Sequence, residues 1–288
     1  MSPGDFSLPA NGYVIDGESG AELARLLGQD HLLTACLGDL LPKGIRLAKG
    51  KAVLDLACGP GGWVLAVARR YPEIQVIGLD LSRKTIEYAR SLARVQGLEN
   101  AAFVVMDVTQ PLDFPDDSFA LVNGRLLMSC LSSEAWSSLV RECLRVTRPG
   151  GIIRLTDCER GLSTSPALEE LTALATLALK MAGHSFSPDG RTVGITPVLG
   201  RLLREVGCEQ IRQRASVLDY SVDTPLYGPM VQNAHVAWFL LKPFLLKMGV
   251  VTPERFEELY RQMQMELLAD DFCALWFYLS VWGRKPGR

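Results

Sequence analysis

The sequence predicts an α/β fold, a largely parallel sheet covered by helices on both faces, and three observations carry that expectation. From residue 52 onward short β-rich runs alternate with longer runs of helical periodicity, the order that builds parallel strands joined by helical crossovers. Small residues crowd the first strand-to-helix connection, DLACGPGG at 55–62. Acidic residues stand in or at the ends of three successive strand patterns: Asp55, Asp80 and Asp107.

Five strand–helix units are legible in order. AVLDLA (52–57) leads through the glycine loop into GWVLAVARRY, which Pro72 closes. QVIGLD (75–80) leads into SRKTIEYARSLARVQG, where Ser82 can cap the first turn and Gly97 can end the last. AAFVVMD (101–107) is a third strand ending at Asp107, and its connection to FALVN (119–123) carries prolines and the acidic turn PDDS. A helix near SEAWSSLVRECLRV ends in the turn RPGG, and GIIRLTD (151–157) forms the fifth strand. Beyond residue 158 the pattern changes. ALEELTALATLALKMAG (167–183) and TPVLGRLLREVG (196–207) read as helices, EQIRQRASVLDYS as a strand, 225–271 as two further helices and FCALWFYLSVW (272–282) as a closing strand. The expected organisation is an N-terminal helical cap (1–45), a ligand-binding core (46–158), a helical lid insertion (159–195), and the end of the core sheet (196–288) with a helical insertion at about 222–271.

A length of 288 residues suits one α/β core with appended helices. The formal net charge of −2 supplies no general attraction to phosphate backbones, so no nucleic-acid partner is expected. The start shows no basic segment followed by an apolar one, which points to the cytoplasm. The seven cysteines are scattered and lack metal-binding spacing, so they read as reduced thiols and no metal site is expected. The most apolar stretch, 236–251, is interrupted by Lys242, Pro243 and Lys247 and falls short of the roughly 20 residues of a membrane span.

The glycine loop lets a ligand approach the backbone, and the helix N-terminus behind it favours a carboxylate. Asp55, inside the strand ahead of the loop, would repel a pyrophosphate and attract an ammonium. Val64 stands where a dinucleotide fingerprint needs Gly or Ala for close helix packing. Asp80 follows the glycines by about 20 residues, the separation at which a carboxylate meets ribose hydroxyls. Asp107 is placed to accept from an adenine amine.

The ordered set DLACGPGG, GLDLS, MDVTQPLDFPDDSF and RVTRPGG resembles the class I S-adenosylmethionine-dependent methyltransferases over about residues 45–160. The resemblance implies a Rossmann-like three-layer α/β/α sandwich with a seven-stranded, mostly parallel sheet whose last strand is antiparallel, the role of FCALWFYLSVW. The cofactor would be S-adenosyl-L-methionine, leaving S-adenosyl-L-homocysteine as product. By the same matching Asp55, Ala57, Gly59 and Gly61 would line its methionine part, Asp80 and Leu81 its ribose, Asp107 and Val108 its adenine, and Asn123 to Arg125 the back of the methionine moiety. The segment from Tyr13 through the first helix also resembles the leader of bacterial and fungal secondary-metabolite methyltransferases, which nominates Tyr13 and Gln29 over the cofactor.

The expected reaction passes a methyl group to an O, N, S or C atom of a small, largely apolar metabolite. A cofactor-binding regulator without catalysis, or a methyltransferase acting on RNA or protein, is the alternative. A substrate needing deprotonation would call for a base, and His184, His235 and Tyr227 are the candidates, each weighed against a purely structural role. An already nucleophilic acceptor needs only alignment and desolvation. The additions at 159–195 and 222–271 exceed what the sheet's connections require. With the leader helix they are expected to enclose an apolar cavity of roughly 300–1,000 Å³ beside the methyl group, suited to an aromatic or polyketide-like acceptor.

Overall fold

The computed structural model describes residues 14, 15, 19–45 and 47–287. Within them the chain runs α1 (Gly20–Leu37), β1 (Ala52–Leu56), α2 (Gly62–Arg70), β2 (Gln75–Asp80), α3 (Arg83–Val95), β3 (Ala101–Val105), β4 (Phe119–Arg125), α4 (Ala135–Val146), β5 (Thr147–Cys158), β6 (Leu162–Ser163), α5 (Pro166–Met181), α6 (Thr196–Glu205), β7 (Glu209–Asp219), α7 (Tyr227–Lys247), α8 (Pro253–Glu266) and β8 (Ala274–Arg284). The strand order is β3-β2-β1-β4-β5-β8, with β7 and the short β6 both paired to β8. Pairings among the first five strands are parallel, and β8 is antiparallel to β5 and β7.

Local chemistry explains where the helices begin and end. Ser82 accepts the Thr85 N–H at 3.2 Å to start α3, and Gly97, at φ 65°, closes it. Ser165 accepts the Leu168 N–H at 3.0 Å, and Pro166 follows in the first turn of α5. Glu266 of α8 reinforces that start by accepting from the Ser165 hydroxyl and the Ala167 N–H. A carboxylate there complements the positive end of the helix.

Two features differ from the sequence expectation. The sheet has an eighth strand, the two-residue β6, which leaves β5 and returns alongside the first residues of β8. RPGG, expected as a turn, is the start of β5: Gly150 N–H donates to the Lys285 carbonyl and Lys285 N–H to that of Gly151, so extension past β8 recruits it into the sheet.

One core lies on each face of the sheet. On one, Trp63, Val64 and Val67 of α2 and Ile86 and Ala89 of α3 meet Val53, Val76 and Leu121 of the strands. On the other, α4 and α6 cover the sheet and merge with the apolar faces of α5, α7 and α8. Each fully buried large side chain contributes about 1.5–3 kcal/mol. α7 continues through Pro243, and among the described residues no helix is long and apolar enough to cross a membrane.

Candidate functional site

The connection after β1 takes a left-handed path through Ala57, Gly59 and Gly61, at φ 46°, 54° and 84°. Gly61 has a steric reason to be glycine: an added Cβ would lie 2.5 Å from the Phe103 ring. Gly62 leaves room for Asp30 of α1, whose Cγ would otherwise sit 2.8 Å from a Cβ. Asp30 therefore rests over the N-terminus of α2 and forms an ion pair with Arg125.

A cavity of about 180 Å³ opens over this loop at the C-terminal edge of the parallel strands. Its wall contains Gln29, Ala57, Gly59, Asp80, Leu81, Asp107, Val108 and Arg125 of the sequence candidates. Asp80 accepts the N–H of Gly59 at 3.0 Å through one oxygen and that of Ser82 at 2.9 Å through the other. Burial raises its pKa, and those N–H donors oppose the shift. Asp107 lies two residues past β3, where one oxygen accepts from the Thr109 N–H and hydroxyl at 2.8 and 2.7 Å.

Asp55, Gly61 and Asn123 are not brought to this wall. Asp55, Asn123 and Arg154 are cross-strand neighbours on β1, β4 and β5 and are all buried. Asn123 donates to Asp55 at 2.6 Å and accepts from Arg154 Nε at 2.6 Å. Burial lifts the Asp55 pKa to about 6, against the Arg125 charge and the Asn123 hydrogen bond. Burial and the nearby Arg125 push Arg154 down to about 9, so it stays charged at neutral pH. The Asp55 carboxylate is thus engaged beneath the floor, where its sequence position had suggested contact with an ammonium. Both guanidinium groups lie over the Trp63 ring, at 5.8 Å for Arg125 and 5.3 Å for Arg154. Arg125 also keeps a buried Nε without a partner among the described residues. Tyr13 lies outside the described residues.

A second cavity, about 240 Å³, adjoins the first and shares Gln29, Leu126 and Ser129 with it. Apolar side chains of α5 and α7 form one side of its wall, and α1, the segment after β4, the end of β5 with the residues that follow it, Tyr220 and Trp276 complete it. It is bordered by both additions and the leader helix, as expected, and is smaller than expected. The partition is a tight segment after β4. Leu126 adopts φ 56°, a conformation costing a non-glycine residue about 1–2 kcal/mol. Asp157 holds the next turn by accepting the Met128 N–H at 3.1 Å, and the His184 ring nitrogen Nδ1 lies 3.0 Å from the Met128 carbonyl. Because a carbonyl only accepts, that nitrogen carries the proton.

The three candidate bases are absent from both cavity walls. His184 is buried behind the partition, and desolvation lowers its pKa. Tyr227 donates to the Leu267 carbonyl at 2.7 Å and packs on Phe272. His235 sits on α7 among the lid helices, with its pKa lowered by burial. Apolar helical patterns showed that these segments cover something but not which turn faces inward. Sequence reasoning missed Asp30 and two residues of the second cavity's wall, Tyr220 and Asn233, whose side-chain oxygen accepts from Arg25 at 3.3 Å. Tyr220, immediately after β7, had a usable signal, since it stands just beyond the C-terminal end of a strand, where ligand-binding groups of such sheets gather.

Comparisons with known proteins agree with this geometry. A family model for a methyltransferase domain matches residues 53–151. The chain is 30% identical over 227 residues to norajmaline N-methyltransferase of Rauvolfia serpentina, covering 77% of this chain and 72% of that one. It is 33% identical over 109 residues to demethylmenaquinone methyltransferase of Geobacillus stearothermophilus, covering 38% of this chain and 45% of the relative, less than half its length. Among solved structures, phosphoethanolamine N-methyltransferase 2 of Haemonchus contortus in complex with S-adenosyl-L-methionine superposes with a TM-score of 0.54 at 16% identity, covering 93% of this chain and 57% of that one.

Proposed function

Because the chain belongs to the class I S-adenosylmethionine-dependent methyltransferases, we propose that it methylates a small, largely apolar molecule held in the second cavity. The observation that carries this reading is the pair of adjoining cavities, one over the glycine loop with Asp30, Asp80, Asp107 and Arg125 in its wall, one more apolar under the lid, with Gln29, Leu126 and Ser129 in the wall of both.

The residues of the first cavity fit S-adenosylmethionine. The helix N-terminus of α2 with Asp30 and Arg125 suits an amino-acid group that carries both charges, and the unpartnered Arg125 Nε leaves a donor to spare. Asp80 and Leu81 would take the ribose, and Asp107 and Val108 the adenine. Ala57 and Gly59 would let the ligand lie against the backbone, and Gln29 would close it from above. Asp55, Gly61 and Asn123 would support the floor from behind, the first and last through the polar chain to Arg154.

When bound, the cofactor supplies an electrophilic methyl group on a sulfonium. The chain's own contribution is alignment and exclusion of water. Among the described residues the second cavity's wall holds no histidine, and its two carboxylates are engaged, so orientation and desolvation carry the catalytic burden. A non-catalytic regulator could fill the space beside the cofactor, whereas the described residues leave it open. The relatives named for norajmaline and demethylmenaquinone methylation support a small-molecule acceptor and a role in specialised metabolism. Seven free cysteines support a reducing, cytoplasmic setting. The test is incubation of the protein with methyl-labelled S-adenosylmethionine and a panel of apolar amines, phenols and quinols. Label transfer to a member of the panel is expected, and transfer only to added RNA or protein would overturn the reading.

A further inference from the structure

The second cavity is nearly neutral in its chemistry. Arg160 pairs with Glu169 at 2.9 Å, and Arg25 with Glu22 at 2.6 Å. Glu159 accepts from the backbone N–H groups of Val193, Gly194 and Thr196 at 2.9–3.1 Å. The wall hydroxyls of Ser129, Ser163, Thr172 and Thr176 donate to backbone carbonyls. A hydroxyl has one proton to give, so these four retain only acceptor capacity.

Among the wall hydroxyls Tyr220 is different. It lies in the cavity wall and is 5% exposed, yet its hydroxyl makes no hydrogen bond to a described residue. Its backbone N–H is tied to Ala274, its ring leans on Phe272 at 6.0 Å, and its hydroxyl lies beside Gly161, another wall residue. Burial and the Glu169 charge push its pKa to about 12, so the proton is retained. The hydroxyl is open to the cavity and is not one of the sealed unpartnered atoms of the described residues, so its proton is available to a ligand there.

Position adds a length constraint. In register across the sheet, Arg125 is followed by Thr156, Ser280 and Arg214, three strands away. Leu126, at the partition with the first cavity, and Tyr220, beyond the end of β7, are therefore separated by three strand spacings, roughly 14 Å across the sheet, and are further offset along the strand direction. We propose that Tyr220 marks a distal subsite that takes a neutral hydrogen-bond acceptor, a carbonyl or ether oxygen, carried by the substrate at the end remote from the methylated atom. This rests on the methyltransferase reading above and narrows its substrate to an elongate apolar body with an uncharged oxygen at the far end.

The test uses the full chain saturated with S-adenosylhomocysteine, with 2-acetylnaphthalene and 2-ethylnaphthalene titrated in by calorimetry. The ketone is expected to bind roughly fivefold tighter or more, with Tyr220→Phe erasing the difference and leaving the 2-ethylnaphthalene affinity unchanged. Equal affinities in the native protein, a preference surviving in Tyr220→Phe, or failure of both compounds to bind would overturn the subsite. If S-adenosylhomocysteine itself does not bind, the methyltransferase reading fails first and this proposal falls with it. Should Tyr220→Phe not fold, a crystal structure of the native protein with 2-acetylnaphthalene decides. A ketone oxygen within about 3.2 Å of the Tyr220 hydroxyl supports the subsite, and a ketone turned elsewhere overturns it.

Discussion

The carboxylate of Asp80 accepts the backbone N–H of Gly59 at 3.0 Å, so the end of β2 holds the loop that follows β1 from 21 residues away. One side chain thus shapes the glycine loop and stands in the cavity wall where ribose hydroxyls would lie. Asp80→Ala should weaken S-adenosylmethionine binding at least tenfold, the loss of about one or two charge-assisted hydrogen bonds. Asp80→Asn, which keeps one acceptor, should lose less. Unchanged affinity by calorimetry in a folded Asp80→Ala variant would remove the assignment.

Gly59 and Gly61 should fail in different ways. Among the described residues a Cβ at Gly59 meets only Leu26, at 3.9 Å, so Gly59→Val adds left-handed strain and a branched side chain beside the cavity. It should cost cofactor affinity more than stability. A Cβ at Gly61 would drive into Phe103, so Gly61→Ala should lower unfolding free energy by about 1–3 kcal/mol from overpacking. Urea melts and cofactor titrations of both variants separate the two effects, and identical profiles would contradict the distinction.

The extent to which the sequence anticipated this site follows chain distance. The glycine loop, Asp80 and Asp107 were legible because strand, turn and helix signals lie within a few residues of the chemistry. The antiparallel closing strand was anticipated through family resemblance. The burial of Asp55 was not legible, since it depends on the cross-strand register that sets Asn123 and Arg154 beside it. His184, His235 and Tyr227 were misplaced for a related reason. Apolar lid helices reveal that they cover a surface, but which turn faces the cavity is set by packing between α5, α7 and α8. Tyr220, by contrast, was legible in principle, since it stands just past the C-terminal end of β7.

Removing the three candidate bases should therefore leave the chemistry intact. His235→Ala and Tyr227→Phe should change kcat/KM by less than about threefold, a ratio worth under 1 kcal/mol. His184→Asn can preserve the donor to Met128 and should retain activity, whereas His184→Phe should loosen the partition. A loss of two or more orders of magnitude in kcat with His235→Ala would restore a catalytic role.

Asp157 predicts a pH dependence of stability. Burial raises its pKa to about 7, above the reference carboxyl value of about 3.9 for an unfolded chain. Between those values the folded state holds more protons than the unfolded one, so this group's stabilising contribution is fully present below the lower value and is lost as pH rises through 7. Denaturant melts from pH 4 to 8 should show that fall, and its slope should be smaller in Asp157→Asn. An identical slope in the two proteins would contradict the assignment.

If methyl transfer takes place where the two cavities meet, a crystal structure with S-adenosylmethionine bound will show it. The amino-acid end is expected beside Arg125 and the N-terminus of α2, the ribose on Asp80, and the methyl group at the wall formed by Gln29, Leu126 and Ser129, directed into the apolar cavity. A methyl group directed away from that cavity, with solvent at its open face, would rule out transfer there.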